Sequence, residues 1–327
     1  MESYTNPVYH KYMADPFVLH HEGSYYAYGT SPHAPAGWSF PILVSTDLVH
    51  WRREGYALRL PEGASEGWAP EVAFRDGVFY LYYSANGSNG QNHQLRVATS
   101  STPTGPFEDS GRSLIPDDAF TIDAHPFKDR DGQWYLFYAR DFLTRDGDLQ
   151  AGTGIVVDRL LDMFTVAEEP RVVVRPYTEW QLFQMQRPIY GGIYDWYTVE
   201  GPALRVHDGR YYCFYSGGAW EQANYGVSYV VADHPLGPYR RPNHLEGPLL
   251  KSVPDRVIGP GHNSFTDSPD GSQDYIVYHG WDPAMSARLM RIDRLEWQGA
   301  IPVIPGPTST PQPVPAPSRI DHGKTEP

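Results

Sequence analysis

Five hairpin-like segments, each opening on a polar residue and spaced to leave room for about four short strands apiece, recur along a chain with no long stretch of helical period. They predict an all-β fold, a five-bladed β-propeller, in a single domain over residues 1–308. Punctuation by 31 Gly and 31 Pro supports many short strands joined by turns. With 327 residues, 40% of them apolar, the chain can bury a large core, and global disorder is excluded.

The first segment runs Asp15-Pro16-Phe17-Val18-Leu19, turns at Glu22-Gly23 and returns through Tyr25-Tyr26-Ala27-Tyr28. The second opens at Glu71, turns at Asp76-Gly77 and returns through Phe79 to Tyr83. The third opens at Asp123, turns at Asp131-Gly132 and returns through Trp134 to Tyr138. The fourth opens at Glu200, turns at Asp208-Gly209 and returns through Tyr211 to Tyr215. The fifth opens at His262, turns at Asp270-Gly271 and returns through Tyr275 to Tyr278. Asp-Gly between apolar strands is a strong hairpin signal, and Glu-Gly a weaker one. The longest interval follows the third segment. Its aromatics, Tyr177, Trp180, Tyr190, Tyr194, Trp196 and Tyr197, either wall a cleft or pack within the insertion. From Pro302 to Pro317 prolines crowd the chain, and residues 309–327 read as an extended or disordered tail.

The formal charge of −13, without a basic cluster, excludes nucleic acid as a partner. The single cysteine, Cys213, rules out intramolecular disulfides, and its Tyr-rich apolar surroundings predict a buried, inert thiol. No run approaches the roughly 20 apolar residues of a membrane helix, so no membrane partner is expected. Met1 to Tyr12 lacks the basic and apolar regions of a leader. The expectation is a cytoplasmic protein, or a secreted one if a leader has been trimmed.

The first strand of every propeller blade lines the central channel. Superposed repeats would bring Asp15, Glu71, Asp123, Glu200 and His262 to one axial hollow. Buried carboxylates crowded together have their pKa values pushed apart, so that one site holds both an acid and a base. A carboxylate pair astride a bond is the apparatus of glycoside hydrolysis. No cofactor is required. GxGxxG and P-loop motifs are missing, and His20-His21 lacks zinc-site spacing.

These residues resemble glycoside hydrolase family 43, the five-bladed propeller family of arabinofuranosidases, arabinanases and β-xylosidases. Ala14-Asp15-Pro16, followed by Gly23-Ser24-Tyr25-Tyr26, is similar to the family's general-base motif. Ile122-Asp123-Ala124-His125-Pro126-Phe127 is similar to its second-acid motif, and Glu200-Gly201-Pro202, followed by Gly209-Arg210-Tyr211-Tyr212, to its general-acid motif. Ser45 to Trp51 and Gly67 to Glu71 are further family-like stretches. The resemblance covers Ala14 to about Thr308.

It implies Asp15 as general base, Glu200 as general acid, and Asp123 as the group that raises the acid's pKa. It implies inversion, with the Asp15 and Glu200 carboxyls about 6.5–9.5 Å apart. Gly261-His262-Asn263 resembles the channel histidine that often holds a hydrated calcium ion, and Arg288 the arginine lining the sugar pocket of exo-acting members. Trp68, Phe40, Glu71 and Trp196 are the further candidates for sugar contact. The chain is too short for the C-terminal β-sandwich of many family β-xylosidases, which favours arabinose-directed activity, and the expected function is an exo-acting α-L-arabinofuranosidase on arabinose-containing plant polysaccharides or oligosaccharides. β-Xylosidase, bifunctional xylosidase/arabinofuranosidase and endo-arabinanase are the alternatives within the class. A non-catalytic carbohydrate-binding propeller is the alternative outside it.

Overall fold

The structure, a computed structural model, describes residues 2–86 and 92–317. It is all-β, with one 3₁₀ turn at Glu179–Gln181 among the described residues. Strands Ala14–His21, Ser24–Thr30, Trp38–Ser45 and Arg52–Arg59 form an antiparallel sheet in chain order, and Gly67–Arg75, Val78–Ala85, Gln94–Ser100 and Glu108–Ser113 form the next. The third group, Thr121–Lys128, Trp134–Phe142 and Gly152–Asp162, joins the fourth, Gly192–His207, Arg210–Gly217 and Gly226–Ala232. The join is a short parallel pairing of Gly152 with Tyr197 and Thr153 with Thr198. In the last sheet Ile258–Asp267, Asp274–Trp281 and Arg288–Gln298 are followed by Tyr9–Tyr12 from the other end of the chain.

The first strands of these five groups pack side by side: Ala14–His21 on Gly67–Arg75, that on Thr121–Lys128, then Gly192–His207, then Ile258–Asp267, which packs back on Ala14–His21. Apolar clusters fill the spaces between neighbouring sheets. One holds Tyr82, Leu95, Leu136 and Tyr138, and another Ile122, Phe137, Cys213 and Tyr215.

Turn chemistry explains the hairpins. Glu22-Gly23, Asp76-Gly77 and Asp208-Gly209 all have positive φ at both residues, which two-residue turns need to match strand twist. Glu22 adopts this conformation despite its weaker propensity, because His21 and Ser24 are pinned by pairing. The Asp131-Gly132 and Asp270-Gly271 segments instead sit in longer connections, between paired Lys128 and Trp134 and between paired Asp267 and Asp274.

Each first strand carries a β-bulge. The ladder skips two residues at Asp15-Pro16, Ala69-Pro70, Asp123-Ala124, Gly201-Pro202 and His262-Asn263. The leading residue of every pair has positive φ: 49° for Asp15, 46° for Ala69, 60° for Asp123, 58° for Gly201 and 49° for His262. A bulge re-aims side chains, and such devices cluster beside active sites. The common phase corrects the repeat read from sequence. Asp15, Asp123 and His262 are equivalent, but Glu200 stands one residue before its bulge and Glu71 two residues after the leading position of its own.

The aromatic insertion packs both on itself and on the neighbouring sheet strands. It forms a hairpin of Leu182–Ile189 against the start of Gly192–His207. Trp196 is fully buried, Tyr190 donates to Asp141, and Tyr177 meets the Tyr215 hydroxyl. The proline-rich segment is extended and docked. Gln312–Pro313 pairs with Ser3–Tyr4, and Ala316 accepts from the Asp270 amide. Residues 318–327 of the expected tail lie outside the described residues.

Candidate active site

The bulges deliver Asp15, Asp123, Glu200 and His262 to one hollow. Asp15 and Asp123 are 8% and 6% exposed. Ligand atoms of Asp123, Glu200 and His262 all lie within 4.8 Å of one another, and His262 Nδ1 is 3.5 Å from Asp15 Oδ1. Gly201 is required here by two observations. Its φ is +58°, and a Cβ would stand 3.2 Å from the His262 ring.

The acids have opposite electrostatics. Burial alone opposes ionisation of Asp15, but the charges of His262 and Arg288 override it and hold its carboxyl well below the usual range. Arg288 Nη1 lies 3.3 Å from Asp15 Oδ1. The guanidinium is fixed in turn by the Tyr12 hydroxyl at 3.0 Å and by the Trp220 ring, 4.4 Å away at its centroid. Burial and the neighbouring Asp123 raise Glu200 to about 7, against the lowering effect of His262 and of the Tyr225 hydroxyl that donates to Oε1 at 2.8 Å. Asp123 rises to about 6, chiefly by burial, with Asp15 and Glu71 adding to it. One carboxylate is thus poised ionised and another protonated near neutrality, the division of labour that acid–base chemistry needs.

His279 completes the surroundings of Asp15. Its Nδ1 accepts from the Asp15 amide at 3.1 Å, and burial lowers the ring to about 4, so it is the neutral acceptor tautomer. His262 behaves oppositely. Burial opposes its charge, but the surrounding acids raise its pKa.

Arg288 lies against Asp15, but several expected sugar contacts are corrected. Phe40 and Trp196 are 0% exposed, so neither offers a ring face to a ligand. Both fill space between strands, Phe40 beside Tyr83 and Trp196 beneath Tyr190 and Tyr194. Glu71 is turned to His125, which donates from Nδ1 at 2.7 Å while its Nε2 accepts from the Leu204 amide. That relay supports the strand carrying Glu200. Trp68 is partly buried, with His93 stacked on it at 3.4 Å between ring centroids. Tyr12, Trp220, Tyr225, His279 and Trp281 were missed from sequence. The signal for His279 was its place just after the Tyr-rich run of its return strand, the region where Thr30, Ser84 and Ser216 follow theirs. Trp220 and Tyr225 lie in a loop with no repeating pattern.

Asp123, Glu200 and His262 could each turn a ligand atom to one cation. Calcium takes six to eight oxygens, however, and this set supplies two carboxylates and one nitrogen. A cation on Glu200 would also strip the proton that burial keeps there. A hydrated calcium at His262 would instead draw its oxygen shell chiefly from water. Cys213 is buried, and burial pushes its thiol far up, as expected of an inert core group. A cavity of about 350 Å³ lined by Tyr135, Asp158, Arg159 and His234 lies apart from Asp15, Asp123 and Glu200, none of which lines it.

Comparison with known proteins fits this geometry. The family described as "Glycosyl hydrolases family 43" matches residues 4–301. A β-D-galactofuranosidase of Aspergillus niger is 30% identical over 92% of this chain and 84% of its own. An extracellular exo-α-(1→5)-L-arabinofuranosidase of Streptomyces avermitilis is 25% identical over 94% of this chain, which spans 65%, just under two thirds, of that relative's length. Among solved structures, a thermostable family-43 glycoside hydrolase superposes with a TM-score of 0.85 at 34% identity, covering 96% of this chain and 99% of that one. With the match running from residue 4 to 301, the chain belongs to glycosyl hydrolases family 43 and is a glycoside hydrolase.

Proposed function

We propose that the protein is an inverting, exo-acting α-L-arabinofuranosidase built as a five-bladed β-propeller, with each sheet group a blade. The cyclic packing of the five first strands supports the blade reading. The observation that carries the chemistry is the split between Asp15, held ionised by Arg288 and His262, and Glu200, held protonated by burial and Asp123.

In this mechanism Glu200 donates its proton to the leaving oxygen as the glycosidic bond breaks. Asp15 takes a proton from water attacking the opposite face of the anomeric carbon. Asp123 keeps Glu200 protonated between turnovers. Arg288, fixed by Tyr12 and Trp220, orients Asp15 and stands where it can meet the sugar. In this reading the reaction requires no resident cofactor, and EDTA should leave the rate unchanged.

The galactofuranosidase relative favours one second reading. β-D-Galactofuranose repeats the ring configuration of α-L-arabinofuranose with one more exocyclic carbon, so a single furanose pocket could serve both. Aryl α-L-arabinofuranoside, β-D-galactofuranoside and β-D-xyloside, assayed beside linear arabinan, separate the readings. Release of free arabinose supports exo-action. A preference for the pyranose xyloside overturns the furanosidase. Glu200→Gln should lose about 10²–10⁴-fold on an alkyl or sugar leaving group and far less on 2,4-dinitrophenyl. Proton NMR of the first-formed anomer reads inversion, and retention would sink the mechanism.

A further inference from the structure

The bulges are secured by a repeated bond between sheets. In four of the five bulges the amide of the leading residue donates to a side chain near the end of the preceding sheet's second strand. Ala69 N donates to Thr30 Oγ1 at 2.9 Å, Asp123 N to Ser84 Oγ at 3.0 Å, His262 N to Ser216 Oγ at 2.6 Å, and Asp15 N to His279 Nδ1 at 3.1 Å. The four acceptors occupy one register position, since each pairs with the residue before its own sheet's bulge: Thr30 with Ala14, Ser84 with Trp68, Ser216 with Glu200 and His279 with Gly261.

The fifth position in that register is Ala139, which pairs with Ile122 and is fully buried. Alanine offers no acceptor. The Gly201 amide, which this position would otherwise take, donates instead to Asp123 Oδ2 at 3.0 Å. Asp15 provides the internal control. It holds the same bulge position as Asp123, yet the next amide along, Ala69 N, is already engaged by Thr30. Only where a side-chain acceptor is missing does a carboxylate of the hollow reach the neighbouring strand's bulge.

We propose that Ala139 is a positioning residue: by withholding an acceptor it leaves the Gly201 amide to Asp123, and so ties the strand carrying Glu200 to the acid beside it. Gly201 directly follows Glu200, so the bond fixes where the proton donor stands relative to the scissile oxygen. A misplacement of about 1 Å can cost on the order of 10²-fold at that range. The inference rests on Glu200 being the acid of the proposed function.

The test is the ratio of turnover on an alkyl arabinofuranoside, which needs the acid, to turnover on the 2,4-dinitrophenyl arabinofuranoside, which scarcely does. Ala139→Ser supplies the hydroxyl found in the sister sheets and should draw the Gly201 amide away from Asp123. It lowers the ratio about tenfold, the worth of one misplaced hydrogen bond. Ala139→Gly adds no acceptor and keeps the wild-type ratio. Ala139→Cys, with a weak acceptor, falls between them and serves if the serine variant does not fold. Equal ratios for the serine, cysteine and glycine variants overturn the proposal. Should Glu200→Gln itself show no dependence on the leaving group, the acid assignment fails first and the proposal with it. A normal Glu200→Gln response beside an unmoved Ala139→Ser ratio overturns the positioning role alone.

Discussion

Asp15 and Asp123 hold one backbone position in two sheets, and the protein treats them oppositely. Both lead a bulge, both have positive φ, and both are buried. Asp15 faces Arg288, His262 and neutral His279, and is held ionised. Asp123 faces other acids, finds its compensating bond in the Gly201 amide, and is pushed up to about 6. The comparison teaches that the bulge sets where a carboxyl points, while the groups across the hollow set whether it keeps its proton.

Exchanging each acid for its amide gives the largest effect and the sharpest test. Asp15→Asn removes the base and should lower kcat/KM by about 10²–10⁴-fold on every substrate, activated or not. Asp123→Asn keeps an acceptor for Gly201 but removes a like charge from Glu200. The acid's pKa then falls from about 7, and the descending limb of the kcat/KM profile moves to lower pH. A profile that moves upward, or not at all, would break the contrast.

A smaller effect is expected from Arg288→Met. Losing the guanidinium raises the Asp15 pKa, so the ascending limb moves to higher pH while the descending limb, set by Glu200, stays. Steady-state kinetics across the pH range read both limbs at once. Movement of the descending limb alone would show that Arg288 serves the other acid.

The smallest effect is on stability. The folded pKa of Glu200 is raised, so between about 4.5 and 7 the folded state binds a proton that the unfolded state has lost. Stability therefore falls as pH rises through that window. Glu200→Gln removes this term and should raise Tm at pH 8 by about 2–4 °C relative to wild type, with little change at pH 4. Asp15 has the opposite sign. Its depressed pKa contributes stability above the unfolded carboxylate range, lost as pH falls, so Asp15→Asn should lower Tm at neutral pH. Calorimetry on the two variants checks the signs, and like shifts would refute the electrostatic account.

Much of this was legible because it is local. Asp-Gly and Glu-Gly turns, Tyr-rich return strands and the polar residues ahead of them mark five hairpins in the sequence. The motifs around Asp15, Asp123 and Glu200 are each contiguous in the sequence. What escaped was non-local. Phe40 and Trp196 carry the side chains of sugar platforms, yet packing buried them. Trp220 and Tyr225 carry no repeat signature, yet the loop after Gly217 places them beside Arg288 and Glu200. The alignment of Glu200 and Glu71 with the other leading residues failed because a bulge shifts register without changing the apolar pattern on either side.

The sequence by itself determined the five strand pairs, three of their tight turns and the acids that enter the hollow, since period, turn propensity and motif are properties of neighbouring residues. Tertiary structure decided which carboxyl keeps its proton, which aromatic stays accessible and which amide reaches Asp123. Those outcomes depend on charges and acceptors brought within a few ångströms from distant parts of the chain. A buried charge responds to that assembled surrounding, and the order of residues along the backbone does not contain it.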